Sequence, residues 1–458
     1  MNNIQAIKPL KTFWPGPALA GGAAPAEFMA RATDRPLAEA FDRKFTIHAG
    51  SDSTPLADRE TSAAFASLLA RPAPQGLGIY IHLPFCRNQC LYCGFAGRRP
   101  DGELCAAYIE ALVEESRQMS RRPTGGEPVR VIYLGGGTPS AVEPELLARL
   151  MAALRANFDL ANDCEMTLEG RLHDFTPERA AGFLAAGFNR FSIGVQSFDT
   201  QVRRSLGRVS DRATVVKLLS NLISHQKAAI VIDLIYGLPG QSPDDFVADL
   251  QTAVGLGLDG LDTYQLNVFP GAPLDRRIRE GRLPPAAALN EQGEYYRRAG
   301  EWLLGQRWRQ LSLSHFAGTF RERNLYNPWA KRRGDCLGLG AGAGGFWAGW
   351  SYYRQPQVER YLKRAEQGDF TPDLLTPPAP NHRLAGLVVE QMEQGYLNYL
   401  KLMDDFGVEP GLLTALLANW RDQGLIELDG EWLNMTVSGR FWGVNLTQAV
   451  IETASRHI

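Results

Sequence analysis

Three cysteines that lie close together in the chain have the clearest chemical potential. Cys86, Cys90 and Cys93 form a C-x3-C-x2-C motif directly after a strand-like segment. Three thiolates on one loop can bind three irons of a 4Fe-4S cluster and leave the fourth iron open. An open iron can chelate the amino and carboxylate groups of S-adenosylmethionine (SAM), so that one electron cleaves a C–S bond and releases a carbon radical. The spacing therefore predicts radical chemistry carried by a cofactor.

Two other roles for these cysteines have to be weighed. A zinc site needs four ligands, usually from two closely spaced pairs, whereas Cys105, Cys164 and Cys336 are scattered singly. A disulfide is disfavoured because a chain of 458 residues has only six cysteines and shows no secretory signal. Tyr92 favours the cluster interpretation, since an aromatic ring beside the last ligand can pack on an adenine ring.

Glycines and polar residues follow later strand-like segments, where a bound SAM would need them. Gly136, Gly137 and Thr138 form a turn in which backbone groups can approach the methionine ammonium, although a tight strand-to-loop turn is the more common meaning of such glycines. Arg208 can clamp a carboxylate and Asp233 can bind ribose hydroxyls, or both can be structural ion-pair residues. Polar residues at strand ends are also what a barrel mouth requires, and the chain has two more: Glu169 and Gln196.

Five segments of this kind occur in a specific order. They are YIHLPFCRNQCLYCGF from Tyr80, YLGGGTPS from Tyr133, FSIGVQSFD from Phe191, LGR from Leu206 and DLIYGLPGQ from Asp233. Together they resemble the oxygen-independent coproporphyrinogen oxidase-like branch of the radical SAM superfamily. The resemblance covers residues 75–345 and extends, more weakly, to the carboxyl terminus. It implies that the three cysteines of the motif hold the cluster and that the following residues surround SAM: Tyr80, Gly136, Gly137, Thr138, Glu169, Gln196, Arg208 and Asp233.

One departure separates the chain from the decarboxylating oxidases of that branch. Those proteins carry a fourth cysteine two residues after the third, where this chain has Phe95. Segments near Lys44, Gly338 and Ser438 instead resemble the haem-utilisation radical proteins called HutW or ChuW. That resemblance implies radical methylation of haem by a second SAM, opening to the linear tetrapyrrole anaerobilin and release of iron without oxygen. A haem chaperone and a coproporphyrinogen dehydrogenase are the alternatives.

A haem substrate would need iron ligands, groups for its propionates and flat apolar contacts. The candidate iron ligands are His48, His173 and His315, and we expect His315 to project at the barrel mouth because it follows a strand-like segment. A structural role is the alternative for each histidine. The basic candidates for the propionates, which could also be a solvated charge run, are Arg321, Arg323, Lys331, Arg332 and Arg333. The aromatic candidates, which could also fill a domain junction, are Tyr326, Trp329, Phe346, Trp347 and Trp350.

Composition limits the partners of the chain. A formal net charge of -2 gives no basic surface for nucleic acid. No apolar run approaches the roughly 20 residues that a membrane-spanning helix needs, and the first segment lacks the features of an export signal. A cluster-bearing enzyme with free thiols is therefore expected in the cytoplasm. The resemblance adds a flavodoxin- or reductase-type electron donor.

The elements that must position these groups are predicted from periodicity. From residue 75 onward, strand-like segments alternate with helical ones such as 104–119 and 144–157, which predicts an α/β fold. Strands are predicted at 78–84, 129–135, 164–170, 190–196, 229–235, 260–268 and 308–314. The resemblance makes residues 75–345 a partial (β/α)6 TIM-like barrel of the radical SAM type, which leaves a wide mouth for a large flat substrate.

Two further regions flank this barrel. Residues 1–74 are predicted to form an irregular N-terminal extension with a short helix at Thr61–Leu69. Residues 346–458 are predicted to form a small α+β winged-helix-like domain. Its predicted elements are helices over 384–403, 411–423 and 437–455 and a hairpin over 426–433. Because this domain carries little positive charge, a substrate-side wall is favoured over DNA binding.

Overall fold

The chain forms two compact units. The computed structural model describes residues 26–45, 53–71, 76–94, 97–121 and 128–457. One unit consists of Pro55–Pro377, and the other combines Met1–Thr54 with Pro378–Ile458. The predicted boundaries after residues 74 and 345 differ from this division, because short strands beyond residue 345 still belong to the sheet of the larger unit.

One large sheet organises the unit Pro55–Pro377. Its strands are β1 Leu77–Leu83, β2 Val129–Gly136, β3 Leu160–Arg171, β4 Arg190–Gln196, β5 Ala229–Tyr236, β6 Gly260–Gln265, β7 Arg309–Gln310, β8 His315–Ala317, β9 Cys336–Leu339, β10 Gly344–Trp347, β11 Trp350–Tyr353 and β12 Leu374–Thr376. Strands β1 to β6 lie side by side in chain order and are parallel, and β9 pairs in parallel with β1. The sheet stays open, with β12 and β7 at its edges. The predicted α/β fold with a partial barrel of six parallel strands is confirmed.

Helices alternate with these strands and form most of the second unit. They are α1 Pro36–Glu39, α2 Asp58–Leu69, α3 Gly102–Ser120, α4 Pro144–Asn157, α5 Pro177–Ala186, α6 Thr200–Ser205, α7 Arg212–Ser224, α8 Pro243–Gly255, α9 Pro273–Arg279, α10 Leu289–Gly305, α11 Tyr326–Lys331, α12 Val358–Ala365, α13 His382–Gln394, α14 Tyr399–Phe406, α15 Pro410–Asp422, α16 Val437–Phe441 and α17 Gly443–Ala454. Local sequence determines where several of these helices begin. The side chain of Asp101 accepts the first free N–H groups of α3, and Ser242 with Asp245 forms a capping box at α8.

Side chains alternate across the parallel strands and give the sheet two different faces. In β1, Ile79 and Ile81 have no exposed surface, whereas Tyr80 and His82 point to the opposite, inner face. The inner face continues with charged groups from the neighbouring strands, which are close enough to influence one another electrostatically: Glu169, Arg190, Asp233 and Asp262. The interior of the partial barrel is therefore polar and charged, while the opposite face is apolar.

The smaller unit contains a three-stranded antiparallel sheet. Its strands are β13 Tyr396–Asn398, β14 Ile426–Asp429 and β15 Trp432–Met435, in the order β13-β15-β14. Two tryptophan indoles tie the N-terminal residues to it: Trp420 Nε1 donates to the Phe28 carbonyl at 2.9 Å, and Trp442 Nε1 donates to the Pro36 carbonyl at 2.9 Å. The predicted small α+β winged-helix-like fold is confirmed, including the hairpin.

Three predicted elements differ from the observed ones. The helix predicted over 384–403 is interrupted because Gly395 adopts a left-handed φ of 90°, which ends α13 and leads into β13. The helix predicted over 437–455 is divided at Trp442 into α16 and α17. The strand predicted over 308–314 is replaced by the short strands β7 and β8, which run antiparallel to each other. Among the described residues, no helix has the length and apolar content to cross a membrane.

Candidate active site at the carboxyl ends of the parallel strands

The cysteine motif lies on a loop that begins where β1 ends. The Cys86 N–H donates to the Arg98 carbonyl at 2.7 Å, and the Arg98 N–H donates to the Pro84 carbonyl at 2.8 Å, so both ends of the loop are joined. All three motif cysteines are free thiols. A Cβ atom on Gly97 would lie 2.6 Å from Cys86 Sγ, which leaves room only for glycine there. Within the described residues no three His, Cys, Asp or Glu side chains are gathered around a metal position, so the ligand role of the cysteines stays a prediction.

The glycine turn after β2 packs directly against this loop. The Gly137 N–H donates to the Leu83 carbonyl at 3.0 Å, and the Thr138 N–H donates to the Phe85 carbonyl at 2.7 Å. Gly136 has a left-handed φ of 111°, and a Cβ atom there would lie 2.6 Å from the His82 ring. Thr138 Oγ1 is 3.3 Å from Cys86 Sγ. An ammonium group only donates hydrogen bonds, so the turn's carbonyl oxygens, and not its amides, are the groups that could bind one.

Glu169 forms the next part of the site, at the carboxyl end of β3. Its carboxylate accepts hydrogen bonds from the Tyr133 hydroxyl and from the Gly136 N–H. Burial raises the pKa of Glu169. A Cβ atom on Gly135 would lie 3.1 Å from both Glu169 Oε2 and the Tyr80 ring, so the glycine turn allows these side chains to converge. The predicted residues Tyr80, Gly136 and Glu169 are therefore brought together.

A second group surrounds Arg208, which follows α6. Arg208 Nη1 donates to the Gly194 carbonyl at 2.6 Å, and Nη2 donates to the Tyr92 hydroxyl at 2.7 Å. The guanidinium group also hydrogen-bonds Cys90. Gln196 adopts a left-handed φ of 72°, which is strained for a residue with a side chain. A Cβ atom on Gly194 would lie 2.6 Å from Gln196 Nε2 and 3.4 Å from Arg208 Nη2, so the predicted residues Gln196 and Arg208 meet beside the cysteine loop.

Two buried polar atoms of this second group lack a hydrogen-bond partner among the described residues: Arg208 Nε and Gln196 Oε1. Burying such atoms without partners is costly, and native proteins rarely tolerate it away from binding sites. One of these atoms is a donor and the other an acceptor. They suit a ligand that carries both a carboxylate and a hydrogen-bond donor, as the methionine end of SAM does.

Asp233, on β5, faces other acids across the inner face of the sheet. Its Oδ1 accepts a hydrogen bond from Ser192 Oγ at 3.3 Å. Burial and the nearby carboxylates of Asp262 and Glu169 raise the pKa of Asp233 to about 7, although Arg190 opposes this. A carboxyl group near its midpoint at neutral pH can exchange a proton when a ligand binds.

An ionic network below this site was not predicted from the sequence. Arg190 Nε lies 3.0 Å from Glu322 Oε2, and both side chains are almost completely buried. His315 bridges two acids, with Nε2 at 3.1 Å from Glu322 Oε1 and Nδ1 at 3.0 Å from Asp262 Oδ2. Burial lowers the pKa of His315, but these two carboxylates outweigh it and raise that pKa to about 9. The alternation of inward-facing residues along β4 and β6 was the one signal that could have located Arg190 and Asp262.

The three histidines predicted as haem ligands lie in different environments. The prediction that His315 projects at the mouth is wrong: the side chain is buried with both ring nitrogens next to carboxylates, so neither nitrogen is available to iron. His173 lies 3.4 Å from Asp174 beyond β3, is 39% exposed, and stays a candidate. His48 lies outside the described residues.

The basic segment proposed for propionates lies at the other end of the strands. Arg321 donates to the carbonyl of Ala228, which precedes β5, and Arg323 pairs with Asp163 in the first part of β3. Because parallel strands share their amino-terminal edge, these arginines are opposite the cysteine loop, and this part of the prediction is wrong. Arg332 lies over the ring of Trp329, which itself packs against Gly78 at the beginning of β1. Lys331 and Arg333 also have contacts of their own.

The aromatic residues predicted to stack on haem also lie in different places. Tyr326 stacks on Tyr133 with ring centroids 4.2 Å apart and on Tyr80 at 5.9 Å, inside the partial barrel. Trp329 and Trp347 are buried and donate hydrogen bonds to backbone carbonyls, as core residues do. Phe346 and Trp350 are half-buried in β10 and β11. A stacking role for Tyr326 is therefore the aromatic prediction that this geometry favours.

Comparison with known proteins places these features in a family. A model described as the radical SAM superfamily matches residues 80–253. The chain is 35% identical over 401 residues to anaerobilin synthase of Escherichia coli O157:H7, across 87% of this chain and 89% of that protein. It is 34% identical over 402 residues to heme chaperone HemW of Mycobacterium tuberculosis, across 83% of this chain and 96% of that protein. Coproporphyrinogen III oxidase from Escherichia coli has a similar structure, with a TM-score of 0.72 at 23% identity over 86% of this chain and 93% of that chain.

These likenesses support different conclusions. The structural match, at low identity, shows that the fold is shared. The sequence matches cover most of both chains at more than 30% identity and show the family. Membership implies a 4Fe-4S cluster and SAM as cofactors. The predicted relationship is confirmed: the chain is an enzyme of the radical SAM superfamily and belongs to its coproporphyrinogen oxidase-like branch.

Proposed function

We propose that this enzyme methylates haem with a radical derived from SAM, opens the porphyrin to a linear tetrapyrrole and releases iron without oxygen. The observation that carries this proposal is the 35% identity to anaerobilin synthase across 89% of that protein. The aligned part of the chain extends before and after residues 80–253, which the radical SAM family model matches. Phe95, in place of the fourth cysteine of the decarboxylating oxidases, argues against the coproporphyrinogen dehydrogenase alternative.

The cysteine loop fits a three-thiolate cluster site. Cys86, Cys90 and Cys93 lie on one segment whose ends are joined by backbone hydrogen bonds, and no disulfide occupies them. A bound cluster would supply the single electron that breaks a C–S bond of SAM. Arg208 bonds to the thiol of Cys90, so it couples the loop to the pocket where the methionine group would bind.

The residues around the loop fit the rest of SAM. Arg208, through its unpartnered Nε, and Gln196, through its unpartnered Oε1, would hold the methionine carboxylate and ammonium. Glu169 would contribute a second acceptor for the ammonium. Asp233 would accept hydrogen bonds from the ribose hydroxyls, and the Tyr92 ring would pack on adenine. Together these groups would position the cofactor.

Binding of SAM is expected to depend on pH through Asp233. As a ribose acceptor this group acts best when ionised, and its pKa of about 7 means that affinity should rise as pH is raised through neutrality. Asp262→Asn removes a neighbouring negative charge and should move the midpoint down by about one pH unit. Calorimetric titration of reconstituted protein between pH 5.5 and 8.5 measures both midpoints.

A matched control for this titration is Asp244→Asn, an exposed acid near the beginning of α8. It should leave the midpoint where it is in the wild type. Affinity that does not change with pH in the wild-type protein would remove Asp233 from the cofactor pocket. An unmoved midpoint in the Asp262 variant would show that this neighbour does not set the charge of Asp233.

The test of the whole proposal is an anaerobic reaction with haem, SAM and dithionite. We expect bleaching of the haem absorption, chelatable iron and a methylated linear tetrapyrrole detected by mass spectrometry. With a trideuterated methyl group in SAM, the product mass should increase, because the chain offers no other evident one-carbon donor. Protein with Cys86→Ala should bind haem and leave its spectrum unchanged.

A haem chaperone is the second candidate, since the chain is also 34% identical to heme chaperone HemW across 96% of that protein. The same reaction separates the two functions. Intact haem after repeated cleavage of SAM, followed by transfer to an apo-acceptor, would establish the chaperone and overturn the proposal.

A further inference from the structure

An arginine-rich helix is attached to the cysteine loop. The Leu274 N–H of α9 donates to the Leu91 carbonyl at 3.0 Å, and Leu91 is the residue next to Cys90. Leu274 is buried in an apolar cluster with Leu206 and Leu238, against which Leu91 also packs. The helix therefore has a fixed position beside the loop.

The outward side of this helix carries a concentrated positive charge. Residues 273–282 contain four arginines and two acids, in a chain whose net charge is -2. Arg279 pairs with Asp275 at 2.9 Å and Arg282 pairs with Glu280 at 3.2 Å. Arg276 and Arg277 are exposed, and the ion pairs of the described residues do not include them. These two guanidinium groups are thus available to a partner.

The loop after α6, which also borders Leu91, adds an apolar side chain to this surface. A Cβ atom on Gly207 would lie 3.7 Å from Leu91 Cγ, so the loop after α6 borders the same residue. Two residues further on, the Val209 side chain is 84% exposed, more than any other large aliphatic side chain among the described residues. Arg204 in α6 is exposed as well. Arginines around an exposed apolar residue are typical of protein interfaces.

We propose that α9, together with Arg204 and Val209, is the docking surface for an acidic one-electron carrier protein of the flavodoxin class. This rests on the proposed function, because each cleavage of SAM requires one electron from outside the chain. That electron passes from the reduced flavin of the carrier to the site held by the cysteine loop, and the carrier is oxidised by one electron. Acidic groups around the flavin would match the arginines, which would steer the encounter electrostatically.

Three features favour a protein over a small anion at this surface. Residues 87–89 of the cysteine loop are exposed, so a carrier on α9 would approach the cysteines from the solvent side. A phosphate or propionate group has no apolar surface that could pack against Val209, whereas the apolar centre of a protein contact does. The arginines are also spread over two segments, α6 and α9, which a single carboxylate would not span.

The test is a charge reversal at the two unpaired arginines, Arg276→Glu with Arg277→Glu. Titration of cluster-reconstituted protein with oxidised flavodoxin should show affinity reduced by at least about tenfold at low salt, and the remaining affinity should lose most of its salt dependence. Reduction by NADPH, flavodoxin reductase and flavodoxin, followed by electron paramagnetic resonance, should slow by a similar factor. Reduction by dithionite, which needs no docking, should be unchanged.

A matched control reverses two lysines elsewhere, Lys217→Glu with Lys227→Glu. Both are exposed, and Lys227 lies just before β5, at the amino-terminal end of the parallel strands. This variant has the same change in net charge and should bind flavodoxin as the wild type does. If both variants lost flavodoxin affinity equally, the change in net charge alone would explain the loss, and the proposal would be overturned.

Two further outcomes would also overturn it. Unchanged flavodoxin affinity in the arginine variant would exclude this surface. Weakened haem binding with unchanged flavodoxin binding would assign the arginines to the propionates. Failure of the proposed function is seen separately, since wild-type protein reduced by dithionite would then leave haem intact while flavodoxin binding is still measurable.

Discussion

Replacing Cys90 by alanine is expected to remove the iron–sulfur cluster and all cleavage of SAM. Three thiolates would hold three of four irons, so the loss of one leaves the cube with two protein ligands. Cys90 is also the buried member of the motif and bonds to Arg208. Iron and sulfide analysis after anaerobic reconstitution should fall from about four of each per chain to almost none. The same result is expected for Cys86→Ala and Cys93→Ala.

The matched controls are two buried cysteines outside the motif. Cys105 lies in α3, and Cys336 lies in β9, where it pairs with Gly78 at the beginning of β1 and not with the end where the loop begins. Alanine at either position should leave the iron content and the visible absorption of the reconstituted protein unchanged. Comparable loss of iron in a control variant would mean that the cluster has a different ligand set.

Removal of the buried carboxylate of Glu322 is expected to cause the largest loss of stability. Glu322→Ala leaves Arg190 buried without its bidentate partner and His315 with only one carboxylate. An uncompensated buried charge typically costs about 3 to 5 kcal/mol of unfolding free energy. Urea unfolding followed by circular dichroism measures this loss. An exposed ion pair provides the comparison, because Glu294→Ala in α10 should cost less than about 1 kcal/mol.

The same network should make stability depend on pH in two directions. Burial would raise the pKa of Glu322, but Arg190 and His315 lower it to about 2, so its contribution is present above the ordinary pKa and is lost as pH falls toward 2. The pKa of His315 is raised to about 9, so its contribution is present at neutral pH and is lost as pH rises through 9. Urea midpoints should therefore decrease toward both extremes, and the acid decrease should be smaller in a Glu322→Gln variant. Equal stability of wild type and Glu322→Ala would contradict this account of the network.

The parts of the fold that could be predicted are those determined by nearby residues. Strand β5 is a continuous apolar run with a single acid, which indicated both a buried strand and an unusual Asp233. The cysteine motif and the glycine turn are local as well, because spacing along a few residues decides their geometry. The partial barrel itself came from family resemblance, since spacing alone does not distinguish six strands from eight.

The parts that could not be predicted depend on distant residues. Arg190 and Glu322 are 132 positions apart, and no local pattern links them. The misplacement of His315 has a specific cause: β8 runs antiparallel to β6, which sets His315 opposite Asp262 in the interior instead of at the carboxyl end of a parallel strand. Arg321 and Arg323 were misplaced for the same reason, since the chain returns to the amino-terminal edge after β8.

The smaller unit combines the two ends of the chain, and this has a consequence for synthesis on the ribosome. Phe28 and Phe41 are buried in that unit, where the Trp442 ring packs on Phe41 and the Trp420 indole donates to the Phe28 carbonyl. Roughly 380 residues separate the two pairs, so at 5–20 residues per second these phenylalanines wait on the order of 20 to 80 seconds for their partners. The larger unit can complete its sheet in that interval. The N-terminal segment therefore stays exposed to chaperones and proteases until the last helices leave the ribosome, and a chain released early would carry this apolar segment uncovered.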